Sequence, residues 1–172
     1  MTSLKYPIGL FEKPNEIHGE ILNRWINNIQ ELPYLLNEEV KNMNNNDMSK
    51  TYREGSWHIR QIVHHIADSH INSYIRLKLS LTENNPTIKP YFEDKWSNLI
   101  DANDMSVSSS LKIIEGVHER WVYLLKSLSE EELNKTFFHP EHQKSFSIKE
   151  NIGIYAWHGL HHLAHIQLAK KS

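Results

Sequence analysis

The strongest constraint on the fold is a set of four long segments in which apolar residues recur at spacings of three and four. This periodicity is typical of amphipathic α-helices that bury one face. The segments cover residues 16–43, 58–81, 107–128 and 147–170. Strand signals are almost absent, and only residues 136–138 and 144–146 could pair briefly. The pattern therefore predicts an all-α four-helix bundle.

Five of the six prolines lie outside these four segments. Pro33 interrupts the first helical segment and predicts a kink or a split into two helices. Residues 1–14 are predicted to form an extended arm laid on the domain, and residues 44–50 a solvated loop. Residues 82–105 hold two prolines and four asparagines, which predicts a crossover or a functional loop between the second and third helices.

Helix starts are marked by short polar signals. Ser147 with Glu150 forms a capping box for the last helix, and Ser129 with Glu132 forms another for one short turn. His58 stands where the capping hydroxyl would be at the start of the second helix.

Composition narrows the classes of protein. The chain has 172 residues and 39% hydrophobic content, which fits one domain over residues 1–172. A net charge of -2 gives no basic surface for nucleic acid. No apolar run approaches the ~20 residues that span a bilayer, and the first residues lack the apolar core of a signal peptide. We therefore expect a cytoplasmic protein that binds neither nucleic acid nor membranes.

Histidine is the residue that points to function. The chain has 12 His and no Cys, so any metal must be held by imidazoles, carboxylates or backbone oxygens. Eight of the histidines lie on the second and last helices: His58, His64, His65, His70, His158, His161, His162 and His165. Because a buried imidazole needs partners for its ring nitrogens, such clustering on two helices indicates a shared ligand.

Two pairs on the last helix have the spacing of a helical metal site. His158 and His162 are four residues apart, so their rings project from successive turns and can converge on one ion. His161 and His165 share this spacing but lie further from the apolar stripe. By itself the spacing is a weak signal, since solvent-facing histidines and histidines satisfied in a core show it too.

The second helix offers two candidates for a third ligand. Counted from the two aligned helix starts, His65 stands at position +7, His158 at +11 and His162 at +15. These offsets differ by multiples of four, which places the three rings on nearly the same face. They are compatible with one site if the helices pack side by side. His70 stays open as the alternative, because it lies near the middle of the apolar stripe.

A polar stripe runs beside that candidate ligand. His65, Ser69, Asn72 and Arg76 share one side of the second helix, where they either face solvent or line a polar pocket. Asn72 and Arg76, together with Tyr91 from the crossover, are candidates for orienting an anionic substrate. For Arg76, an exposed or ion-paired role on the helix fits the sequence equally well.

Several stretches carry a resemblance to a known family. They are YPIG at residues 6–9, WHIRQIVHHIADSHINSYIRLKLSLTE at 57–83, P-x-x-K-P-Y at 86–91 with Trp96, and YAWHGLHHLAHI at 155–166. The chain resembles the YfiT-like family, a group of proposed metal-dependent hydrolases in the DinB superfamily, to which the bacillithiol S-transferases also belong. The resemblance implies a DinB-type bundle with a long crossover and a homodimer.

The resemblance also implies a metal site. In the family, the second histidine of an H-H-x-x-D motif and the two histidines of a W-H-x-x-x-H motif hold one divalent ion per subunit, zinc in the first place or nickel. These positions are His65, His158 and His162 here. Asp68 completes the first motif and either accepts a hydrogen bond from a ligand histidine or caps a solvated face. Leu160 stands where related sequences often have a further histidine.

Such a site supports more than one reaction. Three imidazoles leave zinc an open position, where water would have its pKa lowered toward ~7, or where a thiol would be held as thiolate. Since the chain has no Cys, that thiol would come from a small-molecule cosubstrate such as bacillithiol. The resemblance favours S-transfer to electrophiles. A metal-dependent hydrolase is the alternative, and a non-catalytic metal-binding or regulatory bundle is the second alternative.

Overall fold

Four long helices form a bundle in the computed structural model, which describes residues 4–172. They are α1 (Gly19–Val40), α3 (Ile59–Thr82), α6 (Ser108–Ser127) and α8 (Ile148–Lys170). The shorter elements are α2 (Asn45–Met48), α4 (Glu93–Trp96), α5 (Ile100–Asp104), α7 (Glu130–Leu133), β1 (Thr136–His139) and β2 (Lys144–Ser147). The predicted all-α bundle is confirmed.

The order of the helices around the bundle differs from a simple up-and-down arrangement. Helix α1 packs against α6 and α8, and α3 packs against the same two helices. Consequently α1 and α3, which follow one another as long helices in the chain, lie diagonally opposite. The same arrangement places α3 beside α8, as a site shared by their histidines requires.

The bundle core is divided into two apolar clusters, and each long helix contributes to both. One cluster includes Leu36, Ile62, Ile66, Ile114 and Ile166. The other includes Ile29, Leu77, Trp121, Ile148 and Ile152. Along the helices, His70, His118 and His158 fall between the residues of the two clusters. A layer of histidines therefore separates two apolar halves.

Helix α1 continues through Pro33, so of the predicted kink or split, the split is wrong. Proline has no N–H, which leaves the carbonyl of Ile29, four residues earlier, without its helical donor. His118 on α6 supplies a donor instead, with its Nδ1 2.6 Å from the Ile29 carbonyl oxygen. A side chain of the neighbouring helix thus replaces the hydrogen bond that proline removes.

The expected caps are present. The capping boxes of Ser129 and Ser147 both form. His58 also acts as a cap, since its Nδ1 accepts a hydrogen bond from the backbone N–H of Gln61 at 3.1 Å. An imidazole can therefore do the work of a capping hydroxyl at this helix start.

Helix α1 and the connection after it differ from their predicted bounds. Helix α1 spans Gly19–Val40 rather than residues 16–43. The predicted loop at residues 44–50 contains the short helix α2, because the Asn44 side chain accepts hydrogen bonds from the N–H groups of Asn46 and Asp47. Both differences are local, as helix ends depend on capping that periodicity does not report.

The crossover and a β-hairpin cover one side of the bundle. Strands β1 and β2 pair antiparallel with Phe137 opposite Phe146, which confirms the brief pairing expected from the sequence. Residues 82–105 include α4 and α5 and join the hairpin where the Ile88 N–H donates to the Phe138 carbonyl at 3.0 Å. Helix α3 lies against both α5 and β1.

The described part of the predicted arm lies on the bundle, while residues 1–3 fall outside the described residues. Trp157 on α8 donates to the Gly9 carbonyl at 3.1 Å, and His165 donates to the Lys5 carbonyl at 3.2 Å. These contacts fasten the arm to α8. Across residues 4–172, none of the helices combines the length and the apolar character needed to cross a bilayer.

Candidate metal centre

Three histidines from two adjacent helices converge. His65 on α3 and His158 and His162 on α8 each bring one ring nitrogen to within 4.8 Å of the others. The Nε2 atoms of His65 and His158 are 3.1 Å apart. Two nitrogens bound to one tetrahedral ion at about 2.0–2.1 Å would be about 3.3 Å apart. The observed spacing therefore fits a shared ion.

Close packing on the other side of α8 sets the position of the two α8 ligands. Gly159 lies between them, and a Cβ at this position would collide with the Leu32 side chain of α1. Six residues earlier, a Cβ at Gly153 would lie 2.7 Å from the Trp25 ring. The two glycines let α1 approach α8 closely, which fixes α8 against the bundle.

Burial keeps the three rings in the form that binds metal. Burial lowers the pKa of His65 to about 4. Burial, and then repulsion between neighbouring histidines, holds the pKa of His158 and that of His162 well below the usual range. Neutral imidazoles present a lone pair, as metal ligation requires. Within residues 4–172 no other group of three or more His, Asp or Glu side chains is arranged to hold an ion.

His70, the alternative ligand from α3, lies behind the group. Its Nε2 is 3.1 Å from Nδ1 of His158, and its Nδ1 is 2.8 Å from Nε2 of His118. Both ring nitrogens are therefore engaged with other histidines. The structure brings His65, and not His70, to the position shared with the α8 pair.

Trp57 forms a wall of the centre. Its ring lies 4.7 Å from the His65 ring and stacks on that of His162 at 6.3 Å, measured between centroids. It precedes the cap of α3, so the same cap that starts the helix places the indole over two ligands.

Two cavities open onto the centre, with volumes of about 650 and 480 Å³. Both are lined by His158, Glu93 and Asp94. Sequence reasoning missed the two acidic residues, and it also missed His139, which lines the larger cavity. Only Glu93 and Asp94 carry a signal in the sequence, which is their proximity to Tyr91. A periodic pattern does not show how the crossover and the hairpin fold onto α3.

Arg76 brings a positive charge to the larger cavity. Its side chain is 8% exposed, and Nη1 donates to the Tyr155 hydroxyl at 3.4 Å. No carboxylate of residues 4–172 lies within ion-pair distance of its guanidinium. A buried charge without a counter-ion is costly, so the position favours an anionic ligand.

The other two candidates for substrate orientation differ in their placement. Tyr91 lines the larger cavity and faces Ser69, although its buried hydroxyl makes no hydrogen bond of normal geometry. Burial raises the pKa of this hydroxyl above its ordinary value. Asn72 instead donates to the Asp68 carbonyl of its own helix at 2.8 Å and does not line either cavity. The polar stripe therefore borders a pocket at Ser69 and Arg76.

Asp68, the acidic residue of the H-H-x-x-D motif, is not seen supporting a ligand. Among residues 4–172, no hydrogen bond joins its carboxylate to His65, His158 or His162. Burial, with a smaller effect from Asp101, raises the pKa of this carboxyl to about 6. The partner of Nδ1 of His158 is instead His70.

Comparison with known families decides the relationship. Residues 28–166 match the profile of the DinB superfamily. The chain belongs to the DinB superfamily. A relative of this DinB protein from Oceanobacillus iheyensis is 54% identical over 162 residues, which cover 94% of this chain and 93% of the relative. One from Bacillus cereus strain G9842 is 48% identical over 171 residues, covering 99% and 98%. Both are named, provisionally, as metal-dependent hydrolases.

Solved structures confirm the DinB fold. YfiT from Bacillus subtilis superimposes with a TM-score of 0.94 at 41% identity, over 98% of this chain and 97% of that one. It is described as a probable metal-dependent hydrolase with an unusual four-helix bundle topology. A mycothiol-dependent maleylpyruvate isomerase shares the fold alone, with a TM-score of 0.66 at 12% identity over 84% of this chain and 60% of that one.

Proposed function

We propose that this DinB protein is a metal-dependent enzyme that activates a low-molecular-weight thiol, similar to bacillithiol, for S-transfer to an electrophile. The observation that carries the proposal is the buried, unpaired guanidinium of Arg76 on a cavity that reaches His158. Because a buried charge without a counter-ion is costly, this position favours an anionic small molecule bound beside the metal centre. Zinc is the first choice of ion and nickel the second.

The residues divide the work between holding the ion and binding the substrate. His65, His158 and His162 would hold the ion through neutral nitrogens and leave a position open for a further ligand. A divalent ion there supplies a positive charge that lowers the pKa of a thiol or of water and favours the anion near neutral pH. The chain has no Cys, so a reacting thiol must belong to a cosubstrate.

The larger cavity has the composition of a small-molecule site. Its volume of about 650 Å³ lies in the range of such sites. Arg76 can hold a carboxylate of the thiol cosubstrate with two parallel hydrogen bonds. The rings of Phe92, Phe137 and Phe146 line the same cavity and offer an apolar wall for the electrophile. One cavity can therefore accommodate both reactants next to His158.

Hydrolysis by metal-activated water is the second candidate function. The names of the relatives at 54% and 48% identity favour it. The same three histidines would serve, and Arg76 would then bind an anionic ester or amide rather than a thiol. The two reactions differ in the nucleophile and in nothing else that the centre requires.

The test is a direct comparison of nucleophiles with zinc-loaded and nickel-loaded protein. Conjugation of bacillithiol and of the uncharged thiol 2-mercaptoethanol to a chromogenic electrophile is measured beside hydrolysis of ester and amide panels. S-transfer predicts conjugation with a clear preference for bacillithiol. Turnover of the panels without conjugation would establish the hydrolase instead, and inactivity in both assays would favour a non-catalytic metal-binding bundle.

Arg76→Leu tests the anion subsite within that assay. We expect the KM for bacillithiol to rise about tenfold or more, because a charge-assisted hydrogen bond contributes roughly 1.5–3 kcal/mol. The KM for 2-mercaptoethanol should stay the same. Arg120→Leu, at an exposed position of α6, is the matched control and should change neither value. An equal loss with both thiols would contradict a role in binding the anion.

The proposal includes a cytoplasmic location and a homodimer, as the DinB resemblance implies. Light scattering coupled to size-exclusion chromatography measures the oligomeric state. A mass of twice the 20.3 kDa chain is expected.

A further inference from the structure

A continuous series of hydrogen bonds leads from the metal centre into the bundle. Nδ1 of His158 is 3.1 Å from Nε2 of His70, and Nδ1 of His70 is 2.8 Å from Nε2 of His118. The series ends where Nδ1 of His118 meets the Ile29 carbonyl oxygen at 2.6 Å. These residues come from α8, α3, α6 and α1, so the series joins all four long helices.

The carbonyl at the end gives the series a direction. A carbonyl only accepts, so Nδ1 of His118 must carry the proton and donate it. Burial lowers the pKa of His118 to about 4, and the ring is neutral at pH 7, which makes its Nε2 an acceptor. His70 must then donate from Nδ1 and accept at Nε2. By the same rule, His158 donates from Nδ1 and is left with a lone pair on Nε2.

We propose that His70 and His118, anchored on the Ile29 carbonyl, are positioning residues that fix His158 in the Nδ1–H tautomer and aim its Nε2 lone pair at the metal. An imidazole bound through Nε2 needs its other nitrogen protonated and held by an acceptor. The proposal requires that the three-histidine group binds metal, and it does not depend on whether a thiol or water reacts.

Pro33 completes this arrangement. A non-proline residue at position 33 would donate its N–H to the Ile29 carbonyl as part of α1. Proline cannot, so the carbonyl is open to His118. Pro33 in α1 and His118 in α6 therefore act together, because the proline leaves the carbonyl free and the histidine donates to it.

The surroundings argue against a role in packing alone. The His70 and His118 rings are 0% and 1% exposed and lie nearly coplanar, with centroids 4.9 Å apart, between the two apolar clusters, where leucine or phenylalanine would fill space without polar atoms. Every ring nitrogen in the series has a partner. Because the series ends on a carbonyl, it orients a ligand and does not carry protons away.

The first test measures tautomers in the wild-type protein without metal. Long-range ¹H–¹⁵N spectra of ¹⁵N-histidine-labelled protein distinguish the Nδ1–H and Nε2–H forms. We expect His70, His118 and His158 all to be protonated at Nδ1 at pH 7. Protonation of His158 or His70 at Nε2 would overturn the proposal without any variant having to fold.

The second test separates hydrogen bonding from volume. His70→Leu removes the acceptor, and we expect zinc affinity to fall about 10–100-fold, as is usual when the support of a metal-bound histidine is lost. His70→Gln keeps an acceptor oxygen near the same place and should recover most of the affinity. Ile114→Ala, a fully buried position one turn before His118, is the control and should lower stability but not zinc affinity.

Zinc affinity is measured by competition with a chromogenic chelator, and the Co²⁺ absorption spectrum reports the geometry of the centre. Equal losses for His70→Leu and Ile114→Ala would overturn the positioning role, as would failure of His70→Gln to recover more than His70→Leu. If the wild-type protein bound no zinc, both the proposed metal centre and the positioning role would be overturned. If wild type binds zinc and His70→Leu binds it equally well, the positioning role fails alone.

Discussion

His158 and His162 lie four residues apart on α8, and so do His161 and His165, yet the two pairs meet different partners. The first pair faces His65 across the α3–α8 contact, and together the three bring nitrogens within 4.8 Å. The second pair faces the N-terminal arm. Identical spacing on one helix therefore produces a candidate metal centre on one face and an anchoring surface on the next.

The second pair is engaged by aromatic rings and backbone. His165 stacks on Tyr52 at 3.8 Å and donates to the Lys5 carbonyl at 3.2 Å. His161 stacks on Trp157 at 4.5 Å and lies 5.8 Å from the Tyr6 ring. The Nδ1 atoms of both are buried without a hydrogen-bond partner, whereas Nδ1 of His158 has His70. What distinguishes the ligand pair is a third histidine in front. An acceptor lies behind His158 alone, because Nδ1 of His162 is also buried without a partner.

The largest expected effect is the loss of stability of the metal-free protein in acid. The folded-state pKa is about 4 for both His65 and His118, against roughly 6.5 in the unfolded chain. Such depressed values add stability that is fully present above pH 6.5 and is lost as the pH falls toward 4. Each histidine then accounts for about 3 kcal/mol, so the two approach the whole stability of a typical domain.

Urea unfolding at pH 7, 6, 5 and 4.5 measures this loss. Zinc should protect the protein at pH 6 and 7 through the first pair and His65. That protection should be absent in His162→Ala and retained in His165→Ala. Stability that is independent of pH between 7 and 4.5 would show that the histidine layer is not held neutral.

The next largest effect is the contrast between the pairs in zinc affinity. His162→Ala removes a ligand and should cost more than the roughly 100-fold that loss of a supporting hydrogen bond costs. His165→Ala removes a contact to the arm and should leave zinc affinity at the wild-type value. Chelator competition measures both variants. Similar losses in the two would mean that the second pair also belongs to the centre.

A smaller effect is expected from His118→Leu. His70 would keep its contact with His158 but lose the acceptor that fixes its own proton, so zinc affinity should fall about tenfold, the lower end of such losses. Val122→Ala, a buried position on the same helix, is the control and should not change affinity. An unchanged affinity in His118→Leu would limit the positioning role to His70.

The smallest effect is expected from Pro33→Ala. The restored N–H competes with His118 for the Ile29 carbonyl, so zinc should bind more weakly by less than about 1 kcal/mol, the net value of one hydrogen bond. The same titration measures it, together with the His118 tautomer by NMR. Tighter zinc binding would contradict the link between α1 and the centre.

Local signals predicted the elements well. The apolar periodicity located all four long helices, and the capping boxes at Ser129 and Ser147 placed two helix starts. Of the kink or split predicted at Pro33, the split does not occur, and the donor that replaces the missing N–H, His118, comes from another helix. Likewise, the α2 helix depends on the capping by Asn44 and not on an apolar stripe.

The candidate site was predicted less completely. Matching helix offsets indicated His65, His158 and His162 but left His70 open, because His70 lies near the middle of the apolar stripe of α3. Glu93, Asp94 and His139 were missed because the crossover and the hairpin place them beside the centre. Such irregular segments carry no periodicity that relates their residues to a helix face.

By itself, the sequence determined that the chain forms four amphipathic helices and carries histidines on one face of two of them, since both properties follow from spacing along a single helix. Only the tertiary structure decided that His65 meets the first α8 pair, that Arg76 is buried without a counter-ion, and that His118 reaches the carbonyl that Pro33 leaves open. Contacts between helices depend on how whole surfaces pack, and helix periodicity does not record that choice.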